Sequence, residues 1–241
     1  MPALTRTNRV PCVAGVLCGG RSRRMGASKA MLPHPAGGTM IEHAARVARS
    51  VTDEVVLLGD DPRLPDSLTA LSLLPDATRD GGPLAGLCSL LRHAGDRWAL
   101  LLACDLPGLT ADVLKALLDH TADGVDAVAY ARDRPVAPAP DERRQDVSHG
   151  IPTNRGGASA NALNQQSTID NRQSSHACCA LYHARILPVA IRHLAGSRRS
   201  LQRLLADIRA CTIDPDPGQT AALVNVNTPG DLDRLRMNGA P

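Results

Sequence analysis

Phenylalanine is absent from this 241-residue chain, and the other aromatics amount to one tryptophan, Trp98, and two tyrosines, Tyr130 and Tyr182. Nucleic-acid modules that stack bases need aromatic platforms, so this composition argues against them. Charge of one sign is also scarce: 27 Lys and Arg stand against 24 Asp and Glu, a net of +3. That excess is too small to imply a nucleic-acid partner by itself. No apolar run reaches the roughly 18 residues of a membrane-spanning helix. Residues 1–11 carry basic side chains without an adjoining apolar segment and small-residue cleavage site, so secretion is not expected. The seven cysteines include no C-x-x-C pair, and most sit in apolar runs, where Cys acts as a small hydrophobe. His176, Cys178, Cys179 and His183 match no zinc-ligand spacing and read as a buried strand with polar flanks. These absences together predict a cytoplasmic protein in a reducing compartment.

What is present is aliphatic. Apolar residues make up 43% of the chain, chiefly Ala, Leu and Val, a set suited to helices lying against a sheet. The first half alternates the two kinds of segment. Strands are expected at 13–18, 54–59, 71–74, 98–104 and 126–130, and helices at 39–50, 83–93 and 111–120. Thr39 and Glu42 have capping-box spacing, and Pro83 suits a first helical position. This alternation predicts a single α/β domain of Rossmann-like type, with a mostly parallel central sheet and helices on both faces. Residues 131–175 break the pattern. Four prolines are followed by a tract of Asn, Gln, Ser, Gly and Thr too polar to offset chain entropy, so a disordered insertion, tolerated as a surface loop, is expected. Structure resumes with strands at 177–182 and 210–213 and helices at 184–195, 200–207 and from Thr228-Pro229 onward.

The strongest chemical signal is the segment LCGGRSRRMGASK, residues 17–29. A buried strand here delivers Gly19 and Gly20, which let the backbone turn tightly and approach a ligand. Successive N–H groups can then face a polyphosphate, with Arg24 offering a charged fork and Lys29 a point charge. The location fits the rule that open α/β sheets bind ligands beyond the C-terminal ends of their strands. It is not a P-loop, because Gly26 is followed by Ala27-Ser28-Lys29, and no G-x-G-x-x-G is present. Asp105 ends the strand at 98–104, where a carboxylate can hold Mg²⁺ beside phosphate oxygens or cap the turn before Pro107. Asn227 can supply an oxygen ligand or make an ordinary turn before Thr228.

Residues 17–29 resemble the signature loop of the molybdenum cofactor guanylyltransferases, a loop shared with other nucleotidyltransferases. Three further segments resemble that family in order: Gly82-Pro83-Leu84-Ala85-Gly86, Cys104-Asp105-Leu106-Pro107, and Asn225-Val226-Asn227-Thr228-Pro229. His176 with the apolar run behind it is similar to the family's H-P-x-x-A-L-Y segment. The likeness spans most of the chain outside residues 131–175. It implies transfer of GMP from GTP to molybdopterin, releasing pyrophosphate, with Mg²⁺ as cofactor. It further implies that Leu17, Gly19, Gly20 and Lys29 bind GTP and that Arg24, Lys29 and Asp105 serve catalysis, with Asp105 on the metal. Asp76 would read guanine, since a carboxylate accepting from its N1–H and amine discriminates against other bases; alternatively Asp76 is a surface turn residue. Asn225, Asn227 and His176 would face the acceptor pterin. Transient contacts with cofactor-biosynthesis proteins or molybdoenzymes are implied as well.

The chain departs from the family pattern at Ser28, where an acidic residue is usual, at Gly59-Asp60, and at Ala177, where proline is usual. Three readings therefore stay open: guanylyl transfer, cytidylyl or other nucleotidyl transfer to a phosphorylated acceptor, and a nucleotide- or pterin-binding protein without turnover.

Overall fold

The computed structural model describes residues 10–18, 29–59, 64–132, 175–196, 199–226 and 230–231. Strand β1 (Cys12–Leu17) is followed by α1 (Met40–Val51), β2 (Glu54–Leu58), β3 (Leu73–Leu74), α2 (Pro83–Ala94) and β4 (Trp98–Ala103). Then come α3 (Ala111–Asp119), β5 (Ala127–Ala131), β6 (Ser175–His183), α4 (Leu187–Ala195), α5 (Leu201–Ala206), β7 (Ala210–Ile213) and α6 (Pro217–Ala222). The strands form one seven-stranded sheet in the order β3-β2-β1-β4-β6-β5-β7.

The sheet is parallel except at β6, which runs antiparallel to both β4 and β5. Alternating strands and helices predict only parallel crossovers. The strand that follows β5 instead returns antiparallel beside it, between β4 and β5. Both faces of the sheet are covered, and the side chains alternate between two apolar layers. Ala14, Val16, Leu100 and Leu102 meet α1 and α3 on one face. Val13, Ala99 and Leu101 meet α2, α4 and α5 on the other. The two tyrosines are fully buried with their hydroxyls paired: Tyr130 donates to the Val113 carbonyl at 2.9 Å and Tyr182 to that of Ala177 at 2.8 Å. Small aliphatics fill the rest, as a chain so poor in aromatics requires.

Thr39 forms the expected capping box with Glu42 at the start of α1. The segment expected to be one helix at 184–195 divides into a 3₁₀ turn, Ala184–Ile186, and α4, because Pro188 suits the first turn of a new helix better than an interior. Helix α6 was not expected from the sequence. Its signal is Asp216-Pro217-Gly218-Gln219, a capping box with proline in the first turn. The polar tract between 133 and 174 and the helix start at Thr228-Pro229 lie outside the described residues.

Candidate functional site

Parallel pairing brings the C-terminal ends of β2, β1 and β4 to one edge of the sheet, and the antiparallel β6 brings its N-terminal end there too. Leu17 ends β1 opposite Leu58 of β2 and Ala103 of β4. Two residues past β4, Asp105 sits half-buried at this edge. Lys29, opening a short 3₁₀ turn, places Nζ 3.3 Å from Asp105 Oδ2. Asn225 donates from Nδ2 to Asp105 Oδ1 at 2.8 Å, and the Val226 amide donates to the Asp105 carbonyl at 2.9 Å. Three sequence-distant segments, at 29, 105 and 225–226, thus converge on one carboxylate.

Asp76 lies farther along the same edge, just after β3. The 75–77 segment is tied to α2: Ser89 Oγ donates to the Pro75 carbonyl at 2.7 Å, and the Ala77 amide to that of Ala85 at 3.3 Å. The missing side chain at Gly86 of α2 lets Leu17 and Asp76 both approach the helix. A Cβ at Gly86 would stand 2.9 Å from Leu17 Cδ2 and 3.4 Å from Asp76 Oδ1. Asp76 itself is exposed.

On the other side of Asp105 opens a cleft of about 240 Å³, lined among others by His176, Asn225, Arg132, Arg199, Gln202 and Cys178. Arg132 and Ser175, the residues on either side of the polar tract, both line it. Gln202 fixes the start of β6 by accepting from Ser175 N and Oγ, both at 3.1 Å, and donating to its carbonyl. The thiols here are held in the protonated form. Burial, reinforced by the Asp105 charge, pushes Cys104 up to about 12 and Cys178 up to about 11.

The structure therefore groups Lys29, Asp105 and Asn225, sets Leu17 and Asp76 both against Gly86, and sets His176 in one cleft with Asn225. Gly19, Gly20, Arg24 and Asn227 lie outside the described residues. Sequence reasoning missed Arg132, Arg199 and Gln202. Arg132 borders a polar tract and the other two are exposed, so no periodicity marks them; only the antiparallel return of β6 makes them neighbours of His176.

Among the described residues no group of three or more His, Cys, Asp or Glu side chains could hold a metal ion by itself. A cation that takes most of its ligands from phosphate and water still fits a single carboxylate. Asp105, steadied by a cation and an amide donor, is a single carboxylate of the kind such a cation would need.

Residues 14–212 match the family model described as MobA-like NTP transferase domain. The chain is 35% identical over 118 residues to the molybdenum cofactor guanylyltransferase of Pseudomonas syringae pv. syringae (strain B728a), covering 47% of this chain and 57% of that protein. It is likewise 35% identical over 111 residues to the molybdenum cofactor guanylyltransferase of Pseudomonas putida (strain ATCC 700007 / DSM 6899 / JCM 31910 / BCRC 17059 / LMG 24140 / F1), covering 46% and 58%. The matched region thus spans a little over half the length of these relatives. The fold is similar to that of molybdopterin-guanine dinucleotide biosynthesis protein A from Archaeoglobus fulgidus, with a TM-score of 0.66, 19% identity, and coverage of 94% of this chain and 97% of that one.

Proposed function

Because the chain belongs to the family of MobA-like NTP transferase domains, we propose that it transfers GMP from Mg²⁺-bound GTP to the terminal phosphate of molybdopterin. The products are the molybdopterin guanine dinucleotide and pyrophosphate. A phosphate oxygen of the acceptor forms a bond to the α-phosphorus of GTP, and the bond from that phosphorus to the bridging oxygen of pyrophosphate breaks. The observation that carries this reading is the Asp105 carboxylate, held by Lys29 and Asn225 between the strand that feeds the Gly-rich loop and the cleft of His176.

The roles follow the order of strands along the sheet edge. At the β3 end, Asp76 accepts from the N1–H and amine of guanine, beside Leu17. Gly19, Gly20, Arg24 and Lys29 take the triphosphate after β1. At the end of β4, Asp105 holds Mg²⁺, which when bound neutralises charge on the phosphates. Beyond it His176, Asn225 and Asn227 face the acceptor, with Arg132 and Arg199 to attract its phosphate. Both reactants are anions, so positioning and charge neutralisation carry the catalysis.

The deciding experiment mixes purified protein with molybdenum-loaded molybdopterin, Mg²⁺ and each of GTP, CTP, ATP and UTP, and separates the pterin products by mass. A guanine dinucleotide formed with GTP alone is the expected result. A cytosine product would overturn the role of Asp76 and keep the chemistry. No product with any nucleotide, from folded protein, would leave a nucleotide- or pterin-binding protein as the reading.

A further inference from the structure

Two histidines that take no part in the chemistry above stack on each other beneath the Asp105 turn. The rings of His34 and His43 lie 3.9 Å apart between centroids and 10° from parallel. His34 sits buried in a tight turn closed by a hydrogen bond that its backbone amide donates to the Gly38 carbonyl at 2.9 Å. His43 projects from the first turn of α1. Each ring reaches the same short segment: His34 Nε2 meets the Pro107 carbonyl at 2.9 Å, and His43 Nε2 meets that of Leu109 at 2.9 Å.

The opposite ring nitrogens settle the proton positions. His34 Nδ1 faces the Ala36 amide at 3.1 Å, and His43 Nδ1 faces Arg46 Nη2 at 2.8 Å. Both partners can only donate, so both Nδ1 atoms accept, and each Nε2 carries the hydrogen that its carbonyl receives. All four ring nitrogens are thereby used with one polarity. Burial first, and then the neighbouring His34, lower His43 to about 4, in keeping with this state.

We propose that His34 and His43 are positioning residues for Asp105, clasping the carbonyls of Pro107 and Leu109 so that the turn between β4 and α3 aims the carboxylate. The inference rests on the reading of Asp105 given above. The turn is gripped from two further sides. At Gly108 it packs so tightly on α6 that a Cβ would lie 3.0 Å from Ala222 Cα. On the third side, Val226 pairs its amide with Asp105 and is buried against Met40, which begins α1, and Leu32. The 32–43 segment therefore touches both neighbours of the carboxylate, the 107–109 turn and the 225–226 strap. Two histidines needed only to fill the core would not each require a carbonyl of this one turn as a partner.

The test compares His34→Ala and His43→Ala with His34→Gln and His43→Gln, since a glutamine amide can donate to the carbonyl and accept on its other side. In substrate-free protein, the side-chain amide resonance of Asn225 reports its bond to Asp105. With GTP present, Mn²⁺ affinity by EPR and steady-state rates are read. In folded Ala variants the Asn225 signal shifts, Mn²⁺ binding weakens, and kcat falls about 10- to 100-fold, the scale of a small misplacement, with the KM for GTP nearly unchanged. The Gln variants recover most of each. Folded Ala variants with an unmoved Asn225 signal and wild-type kcat overturn the proposal, as does a kcat loss that only follows the loss of folded protein. Should the Ala variants fail to fold, the Gln variants decide. Near-wild-type rates with an unmoved Asn225 signal support the clasp, and lost turnover with that signal unmoved refutes it. Wild-type protein releasing no pyrophosphate would sink the functional reading alone, because the Asn225 signal tests the clasp without substrate.

Discussion

Asp105 accepts from Lys29 on one oxygen and from Asn225 on the other, so its orientation is set before any ligand arrives. A group fixed in this way costs little reorganisation when charge develops beside it. Replacing Asp105 with Ala is expected to lower kcat by about 10³-fold or more, on the scale of removing a preorganised electrostatic group, with the fold kept. Stopped-assay pyrophosphate release measures it, and substantial turnover in the variant would remove Asp105 from the metal. Asp76 answers to a different readout. On the proposed reading this exposed carboxylate contributes through its hydrogen bonding to the base, worth about 1.5–3 kcal/mol in all where a charge is involved. Asp76→Ala should therefore lower kcat/KM for GTP about 10- to 100-fold while leaving that for CTP little changed. Equal losses on both nucleotides would make Asp76 a turn residue.

Helix α2 is the element on which the proposed nucleotide side rests. It approaches the sheet closely because β1 carries no side chain at Gly15, where a Cβ would stand 2.7 Å from Leu58 Cδ1 and 2.8 Å from Leu90 Cδ2. The same helix carries Gly86 beneath Leu17 and Asp76, so its depth on the sheet sets where the base would lie. Gly15→Val overfills this contact and is expected to destabilise the protein by about 1–3 kcal/mol, read as a lower denaturant midpoint with an unchanged m-value. Its KM for GTP should rise as well, since α2 is displaced under Asp76. An unchanged midpoint would mean that β1 and α2 have room to spare. Helix α1 holds its place by other means: Glu42 completes the Thr39 capping box and also accepts from Ser67, which ties the helix start to the chain after β2.

Across the whole molecule, the edge of the sheet opposite the site is closed by charge. Asp126 precedes β5 and accepts from Arg185 at 2.7 Å, at the entry to α4, and from Arg209 at 3.0 Å, just before β7. Burial alone would raise its carboxyl, but the hydrogen bonds from Arg209 and Arg185 outweigh that and hold it at about 2. The folded value lies below the ordinary 3.8, so the stabilisation is full above that pH and is lost as pH falls toward about 2. Acid titration of stability by circular dichroism should show this loss between about pH 4 and pH 2. Asp126→Asn should be less stable at neutral pH and lose less across that window. A variant whose acid profile parallels the wild type would show that Asp126 is not part of the acid transition.

Local pattern was enough to mark the two-faced sheet, the Thr39 cap and the apolar run into Asp105, because alternation, helix caps and buried strands are properties of neighbours in the chain. It also marked Asp105, Lys29 and Asn225 one by one, through the motifs each belongs to. That they meet at one carboxylate is a matter of topology, since 76 residues separate Lys29 from Asp105 and 120 separate Asp105 from Asn225. The reversal of β6 was illegible for the same reason. Direction is set by which strands a segment pairs with, here β4 on one side and β5 on the other, and it is this reversal that places His176 beside Asn225 and brings Arg132 and Arg199 to the cleft. The pairing of His34 with His43 had no sequence signal either. A histidine in a glycine turn and another on a helix look like ordinary surface residues until packing stacks them and turns both toward the carbonyls behind Asp105.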